Sequence, residues 1–295
     1  MISLAAERRR LSAFGWRRPW LRAAALLTPP LAWFVLIYLL ALVALLVSAF
    51  WSVNPFTTEL EHHWNVGNFT QIFENSTLRT IALRTIWMAA AVTVTDAVLA
   101  LPIAYFMARL ASPRLRSTLF VAVLVPLWAS YLARVYSWRL ILQGDGVLNW
   151  TLGKLGLPDL GVGYSLWAMW IVFSYVWLPF MILPVFAAFE RIPDSMLEAS
   201  ADLGARAWTT VRRVVLPLAL PGIVAGSIFT FSLTLGDFIT PQLVGGGEQL
   251  IGNVVYSSVG IANNVPFAAA YATIPVVVMA VYLVIARRLG AFEAL

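Results

Sequence analysis

The chain has 295 residues, of which 61% are hydrophobic and only 12% charged, with a mean hydropathy of +0.82. A soluble domain carries about a quarter charged residues, so this composition excludes a water-soluble fold and makes the bilayer the expected solvent. The formal net charge is +6, and the lack of cysteine excludes disulfides, thiolate metal sites and a cysteine nucleophile.

A hydrocarbon core of about 30 Å needs roughly 20 apolar residues per helical crossing. Six stretches qualify in chain order: 26–51, 82–108, 117–138, 165–189, 218–242 and 266–286. The first exceeds a signal-peptide core of about 7–15 residues, so it is expected to remain as an anchor. Prolines in or near these runs, such as Pro102, Pro126, Pro184 and Pro241, predict kinks that neighbouring helices must satisfy. The expected fold is an all-α integral membrane protein with six transmembrane helices. Residues 1–25 form a basic segment, 26–289 the membrane domain and 290–295 a tail.

Arginine and lysine counts in the connecting loops set orientation. One side receives fifteen: Arg8, Arg9, Arg10, Arg17, Arg18, Arg22, Arg109, Arg114, Arg116, Arg191, Arg206, Arg212, Arg213, Arg287 and Arg288. The other side receives five: Arg79, Arg84, Arg134, Arg139 and Lys154. Both termini are therefore expected in the cytoplasm. The basic balance is topological, which leaves no case for nucleic acid. The opposite loops differ in character. Residues 51–77 are long and polar, 143–165 are rich in turn residues, and 245–265 begin as a glycine tract and then turn amphipathic. Each suits contact with an external partner or plain solvation.

The loop between the fourth and fifth runs has its own pattern. "IPDSMLEASADLG" (192–204) reads as a short helix with Ser195 as N-cap and Glu198 closing a capping box. Gly204 stands where a C′ glycine would stop that helix in the left-handed conformation. A second helix, 206–215, carries Trp208, Val211 and Val215 as an apolar stripe, and Leu216-Pro217 is expected to end it. The first helix would present Met196, Ala199, Ser200 and Leu203 on one face. Either another protein or the lipid headgroups would meet that face.

Ionisable residues inside a bilayer helix are functional candidates by default. Asp96 lies in the middle of the second run, where Thr93 and Thr95 favour interhelical hydrogen bonding over substrate contact. Asp237 lies toward the end of the fifth, after Gly236 and before Pro241, which is expected to break the helix near the membrane exit. It would attract a cation in the pathway or bond to a neighbouring helix. Arg134 and Arg139 stand among Tyr131, Tyr136 and Trp138. The arginines would snorkel beside interfacial aromatics, or the aromatic faces would hold a passing cation.

The spacing Glu198-Ala199-Ser200, Gly204, Val214 and Leu216-Pro217 resembles the "EAA" loop of binding-protein-dependent ABC importer permeases. Ser200 replaces the second Ala and Val214 replaces Ile. Segments 126–142, 177–200, 220–247 and 250–255 resemble the first permease subunit of spermidine/putrescine-type importers. The resemblance implies a type I importer permease fold in a bacterial inner membrane. In that family the 190–217 loop docks on an ATP-binding subunit. It also implies two copies of that ATP-binding subunit, a second permease, an external solute-binding protein and a polyamine-like solute. Similar relatives move opine-type compounds, phosphonates or iron complexes.

No G-x-x-x-x-G-K-[ST] occurs, because the single lysine, Lys154, follows Gly153 but precedes Leu155. ATP and magnesium are thus expected on the partner, with no cofactor in this chain. An intramembrane enzyme is disfavoured, since His62-His63 are adjacent and lie in a loop. A passive channel would have no use for the coupling spacing.

Overall fold

The computed structural model describes residues 19–54 and 57–288. Arg8, Arg9, Arg10, Arg17, Arg18 and the tail at 290–295 lie outside the described residues. In chain order, α1 (Ala23–Ser48) leads to a hairpin of β1 (Ser52–Val53) and β2 (Leu60–Glu61), then to α2 (Gly67–Glu74) and α3 (Ser76–Leu110). Next come α4 (Pro113–Trp128), α5 (Tyr131–Leu142), α6 (Val147–Lys154) and α7 (Leu166–Glu190). The chain continues with α8 (Asp194–Asp202), α9 (Ala207–Gly236), α10 (Ile239–Val244), α11 (Ile251–Gly260) and α12 (Val265–Arg288).

Among the described residues, α1, α3, α7, α9 and α12 are each long and apolar enough to cross a bilayer. A sixth candidate is a bent pair, α4 against Tyr131–Lys154, with 93° between the halves. The single crossing expected at 117–138, with a kink from Pro126, is instead broken after Trp128. Pro126 cannot donate to the carbonyl four residues back, and Ala129 and Ser130 adopt extended backbone where α4 stops. The fifth span departs as well. It starts at Ala207 and ends at Gly236, so the exit break falls at Asp237 and Phe238 instead of Pro241, which lies inside α10.

Short polar side chains start several of the helices. Asn75 accepts from the amides of Thr77 (2.9 Å) and Leu78 (3.3 Å) at the head of α3. Ser165 accepts from Ala168 N at 3.2 Å at the head of α7. Each cap satisfies donors that the first helical turn leaves open. The same logic closes the loops, where Asn68 donates to the carbonyls of Ala49 (2.9 Å) and Trp51 (2.8 Å) behind the hairpin.

The centre of the bundle is α7, which packs on α3 and α9. One half of its buried face gathers Met169, Val172, Phe173 and Val176 with Val92 and Val135. The other gathers Met181, Ile182, Val185 and Phe189 with Ala104, Met107 and Ala219. Between helices run hydrogen bonds, among them Trp170 Nε1 to Thr95 Oγ1 (3.1 Å), Thr230 to Thr93 (3.3 Å) and Tyr282 to Ser227 (2.7 Å). Lipid offers no hydrophobic drive for association, so close packing and such bonds hold the helices together. By contrast, only 6% of the apolar window of α1 is buried, and its Leu40–Ser48 portion meets α12.

Close approach of α9 to α7 requires glycine. A Cβ at Gly222 would sit 2.6 Å from the carbonyl oxygen of Pro184, and one at Gly226 would sit 2.7 Å from Met181 Sδ. Gly153 in α6 has nothing within 4 Å of that position. Overpacking a filled interface costs about 1–3 kcal/mol. Gly222→Ala should therefore lower unfolding stability in detergent by about that amount, while Gly153→Ala leaves it unchanged or slightly raised. Equal effects at the two positions would contradict the packing.

Candidate coupling surface and broken-helix joint

The segment after α7 begins with Pro193, which serves as N-cap of α8 without a side-chain cap bond. Ser195 lies inside the first turn, so the expected capping box of Ser195 and Glu198 does not form. The helix starts one residue after a proline that is already extended, at φ −66° and ψ 142°, and Asp194 occupies the dipole-favoured first turn instead. At the other end the glycine expectation holds. Gly204 has φ +73°, its amide donates to Ala201 O at 2.8 Å, and that of Ala205 donates to Ser200 O at 3.1 Å. Those two bonds are a Schellman closure.

The exposed face of α8 carries Met196, Ala199 and Leu203, with Leu203 88% exposed, and Trp208 projects beyond the turn. Ser200 does not belong to that face. It is buried, and its hydroxyl lies 2.9 Å from Thr210 Oγ1, pinning α8 to the start of α9. Nor does Leu216-Pro217 end a separate helix. A π turn at Val211–Val215, in which Leu216 N–H reaches Val211 O, widens the backbone just before Pro217. The widened turn moves aside the carbonyl that the ring would strike, and the helix runs on through Val214 and Leu216 into the membrane.

Two arginines that the sequence presents only as topological charges hold this end together. Arg109, in the last turn of α3, donates through Nη1 to Asp194 Oδ1 at 2.7 Å. Its Nη2 donates to Phe189 O at 2.6 Å and to Ile192 O. Arg116, on α4, donates to Met107 O (3.1 Å) and Ala108 O (2.7 Å) and pairs with Glu190 at 3.4 Å. These acceptors sit at the C-terminal ends of α3 and α7, where helix carbonyls lack internal partners.

At the opposite end, the break between α4 and α5 meets the break between α9 and α10. Asp237 is 8% exposed. Its Oδ1 accepts from Thr240 N at 2.9 Å, which caps α10, and its Oδ2 accepts from the hydroxyl of Tyr131, the first residue of α5. Tyr131 Oη also lies 2.7 Å from Thr240 Oγ1. Asn253 of α11 donates to Phe238 O at 2.8 Å, so the break is bonded to α5 through Asp237 and to α11 through Phe238. Behind the joint runs an aromatic ladder. Tyr131 stacks on Trp177 (centroids 5.5 Å, interplanar 13°), Trp177 meets Phe180 at 6.0 Å, and Phe180 meets Phe229 at 6.3 Å.

The remaining candidates are dispersed. Asp96 has 0% exposure and lies in the α3–α7 interface beside Ser174. Neither carboxylate oxygen has a hydrogen-bond partner among the described residues, so the interhelical bond expected there does not form. Thr93 donates to Ala89 O and Thr95 accepts from Trp170 instead. Tyr136 is exposed, with the Arg139 guanidinium over its ring at 5.4 Å, and Arg139 Nε donates to Tyr164 Oη at 3.2 Å. Arg134 lies over the Tyr131 ring at 5.9 Å. Trp138 packs at a tilt on Tyr175. The structure thus joins Tyr131 to Asp237 and leaves Asp96, Tyr136 and Trp138 apart from them. Thr240 and Trp177, the partners that complete the joint, carry no motif that sequence reading could have used.

Residues 100–292 match the model of the binding-protein-dependent transport system inner membrane component family. The chain belongs to this family. It is therefore a multi-span inner-membrane permease subunit of an ABC importer, a part of a transporter and not an enzyme. It is 47% identical over 299 residues to the inner membrane ABC transporter permease protein YdcU of Escherichia coli (strain K12), covering 97% of this chain and 95% of that one. It is 32% identical over 226 residues to the spermidine/putrescine transport system permease protein PotB of Haemophilus influenzae, covering 76% and 78%. A chain of the bacterial alginate ABC transporter, solved with an alginate pentasaccharide-bound periplasmic protein, superposes with TM-score 0.72 at 18% identity over 92% of this chain and 93% of that one. At that identity the likeness concerns the fold.

The joint makes a direct test possible. A hydrogen bond to a charged group is worth about 1.5–3 kcal/mol, so Tyr131→Phe should lower stability in detergent by about that amount. Ser200→Ala, which loses one neutral bond to Thr210, should cost about 1 kcal/mol. A Tyr131→Phe protein as stable as the parent would show that the joint is not held by this contact.

Proposed function

We propose that this chain forms half of the translocation pathway for a small cationic solute of the polyamine type. Its exposed α8 face docks on an ATP-binding subunit. The termini and α8 lie in the cytoplasm, in line with fifteen basic residues on that side against five on the other. ATP and magnesium sit on two copies of the partner ATP-binding subunit. A second permease completes the pathway, and an external solute-binding protein delivers the solute at the Asp237 end.

The observation that carries the reading is the pairing of a buried acid with an aromatic ladder at the meeting of two helix breaks. A cation is attracted to the faces of aromatic rings, most strongly those of tryptophan. Both carboxylate oxygens of Asp237 already accept hydrogen bonds from the protein. Its contribution to a passing ammonium is therefore charge felt across the Tyr131 ring, without direct coordination. Two relatives frame the choice of solute. PotB carries spermidine and putrescine in its name, whereas YdcU carries no solute in its name. Asp96 is proposed to sit within the α3–α7 interface away from the solute. Tyr136 and Trp138 are proposed to line the approach at the same end.

In the proposed cycle, closure of the ATP-binding subunits draws the α8 helices together and turns the cavity outward. The solute enters from the docked binding protein, and hydrolysis returns the cavity to the inside.

Uptake of labelled putrescine and spermidine, with an amino acid, a phosphonate and an iron complex as competitors, tests the solute class. Loss of the Asp237 charge removes about 1–2 kcal/mol of net attraction after desolvation. Asp237→Asn should slow polyamine uptake about tenfold and leave polyamine binding to the external protein unchanged. An anionic cognate solute, or normal polyamine uptake by Asp237→Asn, would refute the reading of the joint.

The coupling reading has a separate test. A β-branched residue tolerates positive φ poorly, so Gly204→Val strains the α8 closure even though nothing stands within 4 Å of the added Cβ. The variant should insert normally yet lose uptake and stimulated ATP hydrolysis. Normal transport by a well-expressed Gly204→Val protein would contradict the docking of α8.

A further inference from the structure

α8 is joined covalently to α7 through residues 191–193 and to α9 through residues 203–206. Its movement therefore reaches those two helices along the chain. No covalent link carries it to α3, the third member of the central trio. The contact that does so is Arg109. One guanidinium binds Phe189 O and Ile192 O at the exit of α7 and the carboxylate of Asp194, the first residue of α8.

We propose that Arg109 is a positioning residue of the coupling machinery, which makes α3 travel with α8 when the ATP-binding subunits close. The inference rests on the proposed docking of α8. The planar fork of arginine fixes the angle as well as the distance of its acceptors. Sharing one fork between two backbone carbonyls and a carboxylate therefore clamps the α7 exit and the α8 start to the end of α3. Apolar contact exists at the same place, with Leu197 packed against the cluster of Met107 and Ala108, but such contacts are non-directional and permit sliding.

Arg116 extends the clamp to α4, since it binds two carbonyls at the end of α3 and the last side chain of α7. An arginine that served only to set topology would keep its head group in water or among headgroups. The Arg109 side chain is instead 14% exposed, with protein acceptors on both terminal nitrogens.

The test uses the complete importer in proteoliposomes, with its ATP-binding subunits, second permease and solute-binding protein. Arg109→Gln, Arg109→Lys and Asp194→Asn are each combined with Ala199→Cys, and cross-linking of that cysteine to the ATP-binding subunit reports docking. ATP hydrolysis is measured with and without liganded binding protein, together with solute accumulated per ATP. The expected result for Arg109→Gln is retained cross-linking and basal hydrolysis, with binding-protein stimulation reduced about fivefold or more and less solute per ATP. Arg109→Lys, which keeps the charge but not the fork, should fall between Gln and the parent.

Wild-type stimulation and stoichiometry in Arg109→Gln would overturn the proposal. A proportional loss of assembled complex and basal hydrolysis at an unchanged stimulation ratio would do the same, because it marks a residue that only supports the fold. Should Arg109→Gln fail to insert, the same ratios in Arg109→Lys and Asp194→Asn decide. Failure of Ala199→Cys to cross-link in an otherwise unaltered chain would fault the docking of α8, and this inference with it.

Discussion

Within a bilayer no water is at hand to pair a backbone amide or carbonyl, so each group must find its partner inside the protein. Straight helices meet that requirement on their own. Breaks in helices do not, and this chain breaks two of its membrane helices and turns a third out into a loop helix. At several of these stops a side chain takes over. Asp237 caps α10 and is gripped by Tyr131. Asn253 takes Phe238 O. Arg109 donates to the carbonyls of Phe189 and Ile192, in the last turn of α7 and just past it.

The two ends of the molecule thus resemble each other physically. At one end, satisfied breaks bring a carboxylate and an aromatic ladder together where two spans open. At the other, guanidinium groups gather the ends of α3, α4 and α7 around the start of α8. The stiff centre of the bundle, α7 against α3 and α9, lies between them. The helices between the α8 end and the joint are tightly interlocked, with Gly222 and Gly226 setting how closely α9 can lie on α7.

Much of this was legible in the sequence. Apolar run lengths placed six spans, and Gly204 was readable as a left-handed helix stop because few other roles explain a glycine after a short amphipathic segment. What could not be read was contact between residues distant along the chain. Ser200 looked like a small surface residue, yet its hydroxyl finds Thr210 and turns the side chain inward. Pro217 looked like a terminator, because one-dimensional rules do not foresee the π turn that admits it. Pro126 signals a kink in the third span but not a full break, because the apolar run continues across Ala129 and Ser130, where the backbone leaves the helix. In the sequence Arg109 and Arg116 are topological charges alone, since the counting rule sees their sign and not their partners.

The central claim is that the exposed face of α8 is a cytoplasmic docking surface for an ATP-binding subunit. The chain has no cysteine, so Leu203→Cys can be labelled without background by a membrane-impermeant thiol reagent. The account predicts no labelling in intact cells, strong labelling in inverted vesicles stripped of the ATP-binding subunit, and protection when that subunit is restored. Labelling in intact cells, or labelling of inverted vesicles that the restored subunit leaves unchanged, would contradict it.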